Sequence, residues 1–307
     1  MKKIYLISFF IFSLLLNSFS QTVFDSNSKD NKLVVGTKYV YEFRDGTTLI
    51  GKFIKQESGN IYIINEKGGK ETYIPEVMVS NVYIADSSNV INGEYRFPNL
   101  HDSRYFFAPS AFGLEKGEGY YSTSYFILWQ AQIGISDNFS IGGGMTPLGT
   151  PILLNFKLTS SLGKKSNIAY GWLYVYERIE SEALLNMPFI VYTYGTKENN
   201  ITSGFGLSFV GSMNNSLGRE DVVLNIASVQ RISRRFAFVF ETFLFNAFLG
   251  KNVELLGGPG LRYFRKINRV SAKNGAGSST WDIQFLKTSI LNDGNGFIPM
   301  IGKSWKF

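Results

Sequence analysis

From Arg104 to Phe307, apolar and polar residues alternate with a period of two in segments about ten residues long. In YYSTSYFILWQAQIGI, Tyr121, Tyr125, Ile127, Trp129, Ala131, Ile133 and Ile135 share one parity. Ser122, Ser124, Gln130, Gln132 and Gly134 share the other, while Phe126 and Leu128 break the rule. The same split sets Leu154, Phe156 and Leu158 against Asn155, Lys157 and Thr159, and Trp281, Ile283 and Phe285 against Asp282 and Gln284. Successive side chains of a strand point to opposite faces, so each segment predicts a strand with one apolar and one polar or glycine face. Segments near 104–113, 119–135, 138–146, 152–162, 167–178, 186–195, 201–211, 221–232, 235–246, 253–265, 280–287 and 297–307 predict twelve strands, or ten if RYFFAPSAFGL stays outside the wall.

A soluble sandwich alternates too, with its apolar face inward. Two features favour a membrane barrel. Bulky rings recur on the apolar face, as with Tyr170, Trp172, Tyr174 and Tyr176 in AYGWLYVYE, where interfacial girdles want them. Short connectors (SDN, KKSN, KENN, SRR) also interleave with longer ones (TPLGTP, ERIESEALLNM, SMNNSLGRED, NAFLGKN), the habit of outer-membrane barrels. The polar face then lines a narrow hydrated lumen, with Gln130, Gln132, Asn155, Lys157, Glu241 and Arg262 as the residues expected to point into it. Arg262 and Glu241 are expected to pair there and plug it. In the last segment Phe297, Ile301, Trp305 and Phe307 share the lipid-facing parity, and Lys303 departs from it at an expected cost of about 2 to 4 kcal/mol if it lies mid-membrane.

Ahead of the barrel the pattern is different. MKKIYLISFFIFSLLLNSFSQ has the charged, apolar and small-residue order of a signal peptide over residues 1–20. A polar lead-in over 21–35 follows. Residues 36–85 hold short alternating runs separated by Asp45-Gly46, Ser58-Gly59-Asn60 and Lys67-Gly68-Gly69, which predicts a five-stranded antiparallel module whose last strand closes a small barrel. Residues 86–103, DSSNVINGEYRFPNLHDS, read as a polar linker.

Composition sharpens this picture without assigning chemistry. Export with no cysteine leaves the fold to rest on a large core or a closed hydrogen-bond network. The formal charge of +7, or +5 once Lys2 and Lys3 leave with the signal, suits anionic headgroups or sugars as well as ordinary solubility. The 27 Phe, 17 Tyr and 31 Gly in a chain with no second long apolar run point to strands rather than helices. His101 is the one histidine, and its neighbours Asp102 and Ser103 along an extended chain point away from one another, so it reads as a polar residue at the barrel rim rather than a catalytic base. Asp25–Asn31 and Asn292–Gly296 cluster oxygens, as turns do, without the terminal bidentate acid of a calcium loop. SIGGGMTPLG lacks the lysine and helix of a phosphate loop and reads as a bent strand, as does LGGPGLRYFRK. Arg231, Arg234 and Arg235 straddle a short turn and read as solvated or as a headgroup contact. No cofactor, metal or catalytic residue is expected.

DGTTLIGKFI, GNIYII and GGKETYIPEVMVSNVYI resemble the Sm-like or SH3-like small barrel over about fifty residues. Sm proteins bind RNA, which an exported module does not meet, so a periplasmic docking role is the expectation. Residues 104–307 resemble the uncharacterised β-barrels of Gram-negative outer membranes. That resemblance implies an all-β, non-enzymatic membrane protein, structural or a narrow pore for a small ligand, with outer-membrane lipid as its surroundings. The terminal Phe307, with Trp305 before it, is similar to the signal read by the barrel-assembly machinery. The alternatives are a lipid-modifying enzyme on the barrel wall and a secreted glycan-binding sandwich.

Overall fold

The computed structural model describes residues 33–45, 47–66, 68–85, 90–91, 93–178, 183–212, 215–246, 253–265, 279–288 and 297–307. The proposed signal peptide, Asp25–Asn31, Asn292–Gly296, and the residues Gly46, Lys67, Lys266 and Arg269 lie outside them. Residues Val35–Phe307 form one compact unit.

The first five strands are β1 (Lys38–Phe43), β2 (Thr48–Glu57), β3 (Asn60–Asn65), β4 (Glu71–Pro75) and β5 (Val79–Ile84), with a 3₁₀ turn, Glu76–Met78, before β5. They make an antiparallel sheet in the order β4-β3-β2-β1-β5. Ser58 and Gly59 turn β2 into β3 with positive φ, as a two-residue hairpin requires. One face buries Tyr39, Tyr41, Phe53, Ile61, Ile63 and Ile74, and the opposite face buries Val40 and Ile50. The last strand pairs with β1, and among the described residues no ladder joins it to β4 to close the sheet as expected. A short hairpin follows, β6 (Val90–Ile91) with β7 (Glu94–Tyr95).

Twelve antiparallel strands then close into a barrel: β8 (Gly119–Ser124), β9 (Leu128–Gly134), β10 (Phe139–Met145), β11 (Ile152–Gly163), β12 (Ser166–Tyr176), β13 (Ala183–Gly195), β14 (Asn199–Ser212), β15 (Asn215–Arg231), β16 (Phe236–Phe245), β17 (Glu254–Arg265), β18 (Ser279–Thr288) and β19 (Ile298–Lys306). Closure is made by β19 on β8, and the ladder runs on to reciprocal backbone bonds of 2.9 Å between Phe307 and Gly119. A closed ring leaves no strand edge unpaired, the condition for strands to cross lipid. The outward side chains are apolar and exposed, including Ile141, Leu154, Phe156, Leu158, Trp172, Ile201, Phe238, Leu261, Ile283 and Ile301. Tyr194 and Phe236 lie at the end of the short turns, Tyr125, Phe126 and Trp129 at the other. We call the short-turn end lower.

The expected count of twelve holds, but two segments differ from the expectation. Residues 119–135 are not one strand: they turn at Tyr125 and Phe126, both with positive φ (51° and 59°), and run back as β9. The register, with Tyr121 opposite Ala131 and Ser124 opposite Leu128, carries the parity unbroken through the hairpin; Phe126 departs from it because it sits in the turn, and Leu128 because it is an apolar residue on the lumen face. SMNNSLGRED is no loop either, since β14 and β15 extend to within two residues of each other. The expected first strand, 104–113, is not in the wall at all. Its residues Arg104, Tyr105, Phe106, Ala108, Ser110 and Ala111 are buried and touch inward side chains of β11, β13, β14, β16, β17 and β19. A segment that meets strands from opposite sides of a closed ring lies inside it.

The plugged lumen as candidate functional site

A buried stretch of irregular backbone is costly, because each N–H and C=O it takes from water needs a partner. Residues 103–110 fold back on themselves, with Tyr105 N–H donating to the Ala108 carbonyl (2.9 Å) and Ser110 N–H to the Ser103 carbonyl (3.1 Å). Many of the remaining backbone groups are met by charged side chains of the wall. Glu241 of β16, 1% exposed, accepts the N–H groups of Phe106 (2.8 Å), Phe107 (3.0 Å) and Ala108 (2.9 Å). The tip of the fold is thus a nest of amides around one carboxylate.

Arg262 of β17 serves the carbonyls. It donates to those of His101 (3.1 Å) and Tyr105 (2.6 Å), while Asp282 of β18 takes its Nε and Nη2 at 2.8 and 3.1 Å. Lys157 of β11 donates to the carbonyls of Ser103 (3.0 Å), Ser110 (3.0 Å) and Phe112 (2.8 Å). Arg104, from the segment itself, donates to Ser304 and approaches Asp282 at 3.7 Å. Burial holds its guanidinium below the usual arginine range, with the Arg262 charge acting the same way and Asp282 opposing. The Tyr105 hydroxyl lies 2.6 Å from both Asn200 Oδ1 and Thr202 Oγ1. Gly260 faces the ring of Phe106, and a Cβ there would come within 2.7 Å of it.

Lower down, Arg231 lies over the rings of Phe264 (3.8 Å) and Phe97 (4.8 Å), pairs with Glu198 (3.4 Å) and donates to the Arg234 carbonyl (2.6 Å). Glu198 in turn takes the Asn99 N–H at 2.6 Å, and Lys197 pairs with Asp102 at 2.9 Å. The expected pairing of Arg262 with Glu241 does not occur among the described residues. Both face the lumen, and each is occupied by the inserted backbone instead. Arg231 is neither solvated nor a headgroup contact, and His101, flanked by Asn99 and Asp102, both held by Lys197 of the lower turn, is buried at 2% exposure.

Above Phe107 and Pro109 the lumen keeps a cavity of about 250 Å³. Gln130, Gln132 and Asn155 line it, but so do Leu153, Leu173, Met187, Phe189, Val223 and Phe243. Gln132 is engaged by the Tyr120 hydroxyl (2.8 Å) and Ser140 (2.9 Å). The expectation of a hydrated lumen therefore meets a layered one, charged at mid-height and apolar above. On the outer face Lys303 lies between Trp281 (4.8 Å) and Trp305 (4.5 Å), and this cation–π sandwich answers its apparent misplacement.

Among the described residues, no cluster of three or more His, Cys, Asp or Glu side chains could hold a metal ion. No protein-family model and no curated protein matches the sequence. Three solved structures resemble the fold at low similarity. A KdgM porin in complex with disordered oligogalacturonate is 9% identical with a TM-score of 0.42, covering 62% of this chain and 98% of its own. A NanC porin is 12% identical with a TM-score of 0.41, covering 62% and 99%. A loop-deletion mutant of OmpT, an outer membrane protein of Vibrio cholerae, is 11% identical with a TM-score of 0.36, covering 88% and 96%.

Proposed function

We propose that this chain is a non-enzymatic outer-membrane barrel whose pore is closed by its own residues 95–115, with the 36–85 module as a periplasmic docking element next to the plug. The observation that carries the reading is the satisfaction of the buried segment: carbonyls by Lys157 and Arg262, amides by Glu241. Side chains merely filling a small barrel would not be arranged around one irregular strand of backbone. The module supports the reading because Val40 and Ile50 share a buried cluster with Tyr95, Phe97, Tyr105 and Phe264, and Tyr83 stacks on Tyr95 at 5.9 Å. The segment that enters the lumen is thereby tied to a folded domain outside it.

Planar-bilayer recording on the full chain tests this. The native barrel is expected to be silent, and the double variant Glu241→Gln, Arg262→Met to show discrete openings while keeping a band that shifts on boiling. Native channels as large as the variant's would refute the plug.

A further inference from the structure

The wall of this barrel is uneven. Strands β13, β14 and β15 have 13, 14 and 17 residues, whereas β8, β9 and β10 have 6, 7 and 7. A strand of six or seven residues tilted as barrel strands are climbs only about 15 to 18 Å, against an apolar band about 25 Å tall. The low side therefore stops inside the membrane. Its tip agrees: a hairpin turn in water favours Asn-Gly, yet here it is Tyr125-Phe126-Ile127, with exposures of 42%, 54% and 58%. The neighbouring turn between β10 and β11 exposes Leu148 at 73%. Both turns stand beside the cavity, which Leu128, Gln130 and Leu153 line from this side.

The cavity itself selects a chemistry. The ammonium of Lys157 is directed to three backbone carbonyls and the guanidinium of Arg104 to the carbonyls of Tyr105 and Phe106, so neither charge is turned to a guest. Gln130, Gln132, Asn155 and Asn225 offer uncharged amides, and apart from Ser103, Tyr120 and the two engaged cations the rest of the bowl is apolar. On these grounds we propose that the upper lumen binds a small, uncharged, largely apolar molecule that enters sideways from the membrane over the β8–β9 hairpin. This rests on the reading of the chain as a membrane barrel.

The test uses the full chain folded into phosphatidylcholine liposomes. The neutral probe N-phenyl-1-naphthylamine is expected to show saturable protein-dependent fluorescence that the anionic 8-anilino-1-naphthalenesulfonate does not displace. Filling the cavity from either of two strands, with Leu173→Trp or Leu153→Trp, should weaken probe binding about tenfold or more. For the route, Ile127→Cys supplies the chain's sole thiol; labelled with bimane, it should be quenched by lipids carrying doxyl groups on their acyl chains. Displacement by the anion, unchanged binding in both tryptophan variants of a barrel that shifts on boiling, or a bimane quenched only from the aqueous side would each overturn the inference alone. A chain that does not float with the liposomes would overturn it together with the membrane reading.

Discussion

Glu241 carries more of this structure than any neutral residue in its place could. Its Oε2 takes three amides at once, with the Phe107 N–H also 3.2 Å from Oε1, and a glutamine can keep one acceptor oxygen there but gives up the charge and turns an NH₂ against the Phe107 amide. With buried groups left unmet at about 1 to 3 kcal/mol each, Glu241→Gln should speed hydrogen exchange at Phe106, Phe107 and Ala108 by about tenfold or more. Exchange at amides of the wall, such as Ile283, should stay unchanged. Arg262 is held differently, by a carboxylate as well as by carbonyls. Arg262→Met leaves Asp282 buried with only the more distant Arg104 at 3.7 Å and should destabilise the barrel by about 3 to 5 kcal/mol, read as a lower urea midpoint in lipid. The sequence showed these residues as polar positions on the inward parity. Their partners were invisible there, because a backbone carbonyl carries no residue identity, and Arg262 with Glu241 was the natural guess from charge alone. Arg231 was missed for a related reason: a cation between Phe97 and Phe264 joins three parts of the chain far apart in sequence.

At the level of elements, strands of ten residues or more declared themselves by parity, whereas β8 and β9 read as one strand because the parity runs unbroken through the hairpin that joins them. The turn between them has none of the Gly, Asn or Asp that marks a hairpin, and is instead fastened by side chains: the Tyr125 hydroxyl donates to the Pro299 carbonyl and Trp129 Nε1 to the Phe126 carbonyl (2.8 Å). Residues 104–113 misled in the opposite way, since an alternating run inside a barrel also has one face toward the wall and one toward the remaining space. Cross-strand fit sets the shape of the cavity. Gly171 stands opposite Phe189, and a Cβ there would fall 2.2 Å from the end of that ring. A ring on two rotatable bonds can swing away, so Gly171→Ala should leave the boiling shift intact while pushing Phe189 into the lumen. Binding of the neutral probe should then weaken several-fold, and Gly171→Ala combined with Phe189→Leu should restore it.

For the molecule as a whole, the inward path of the chain links the module, the plug and the wall in one line. Deleting residues 95–115 should convert a silent barrel into a conducting one, because the strands close on one another through β19 and β8 without the plug's help. The lower clamp adds a dependence on pH. Asp102 holds the Lys197 ammonium above the usual lysine range, with burial opposing and Glu118 and Glu115 adding in the same sense. A raised lysine means that protonation favours the folded, plugged state. That contribution is complete at neutral pH and is lost only as pH climbs past the ordinary lysine value of about 10.4. The native barrel should therefore stay closed from pH 5 to 9 and begin to open in the alkaline range. Lys197→Gln should leak already at neutral pH and lose that alkaline step. An alkaline opening of equal size in Lys197→Gln would assign the step to other groups. The side chain is 61% exposed, so salt should weaken the native clamp while leaving the buried contacts of Glu241 and Arg262 unmoved.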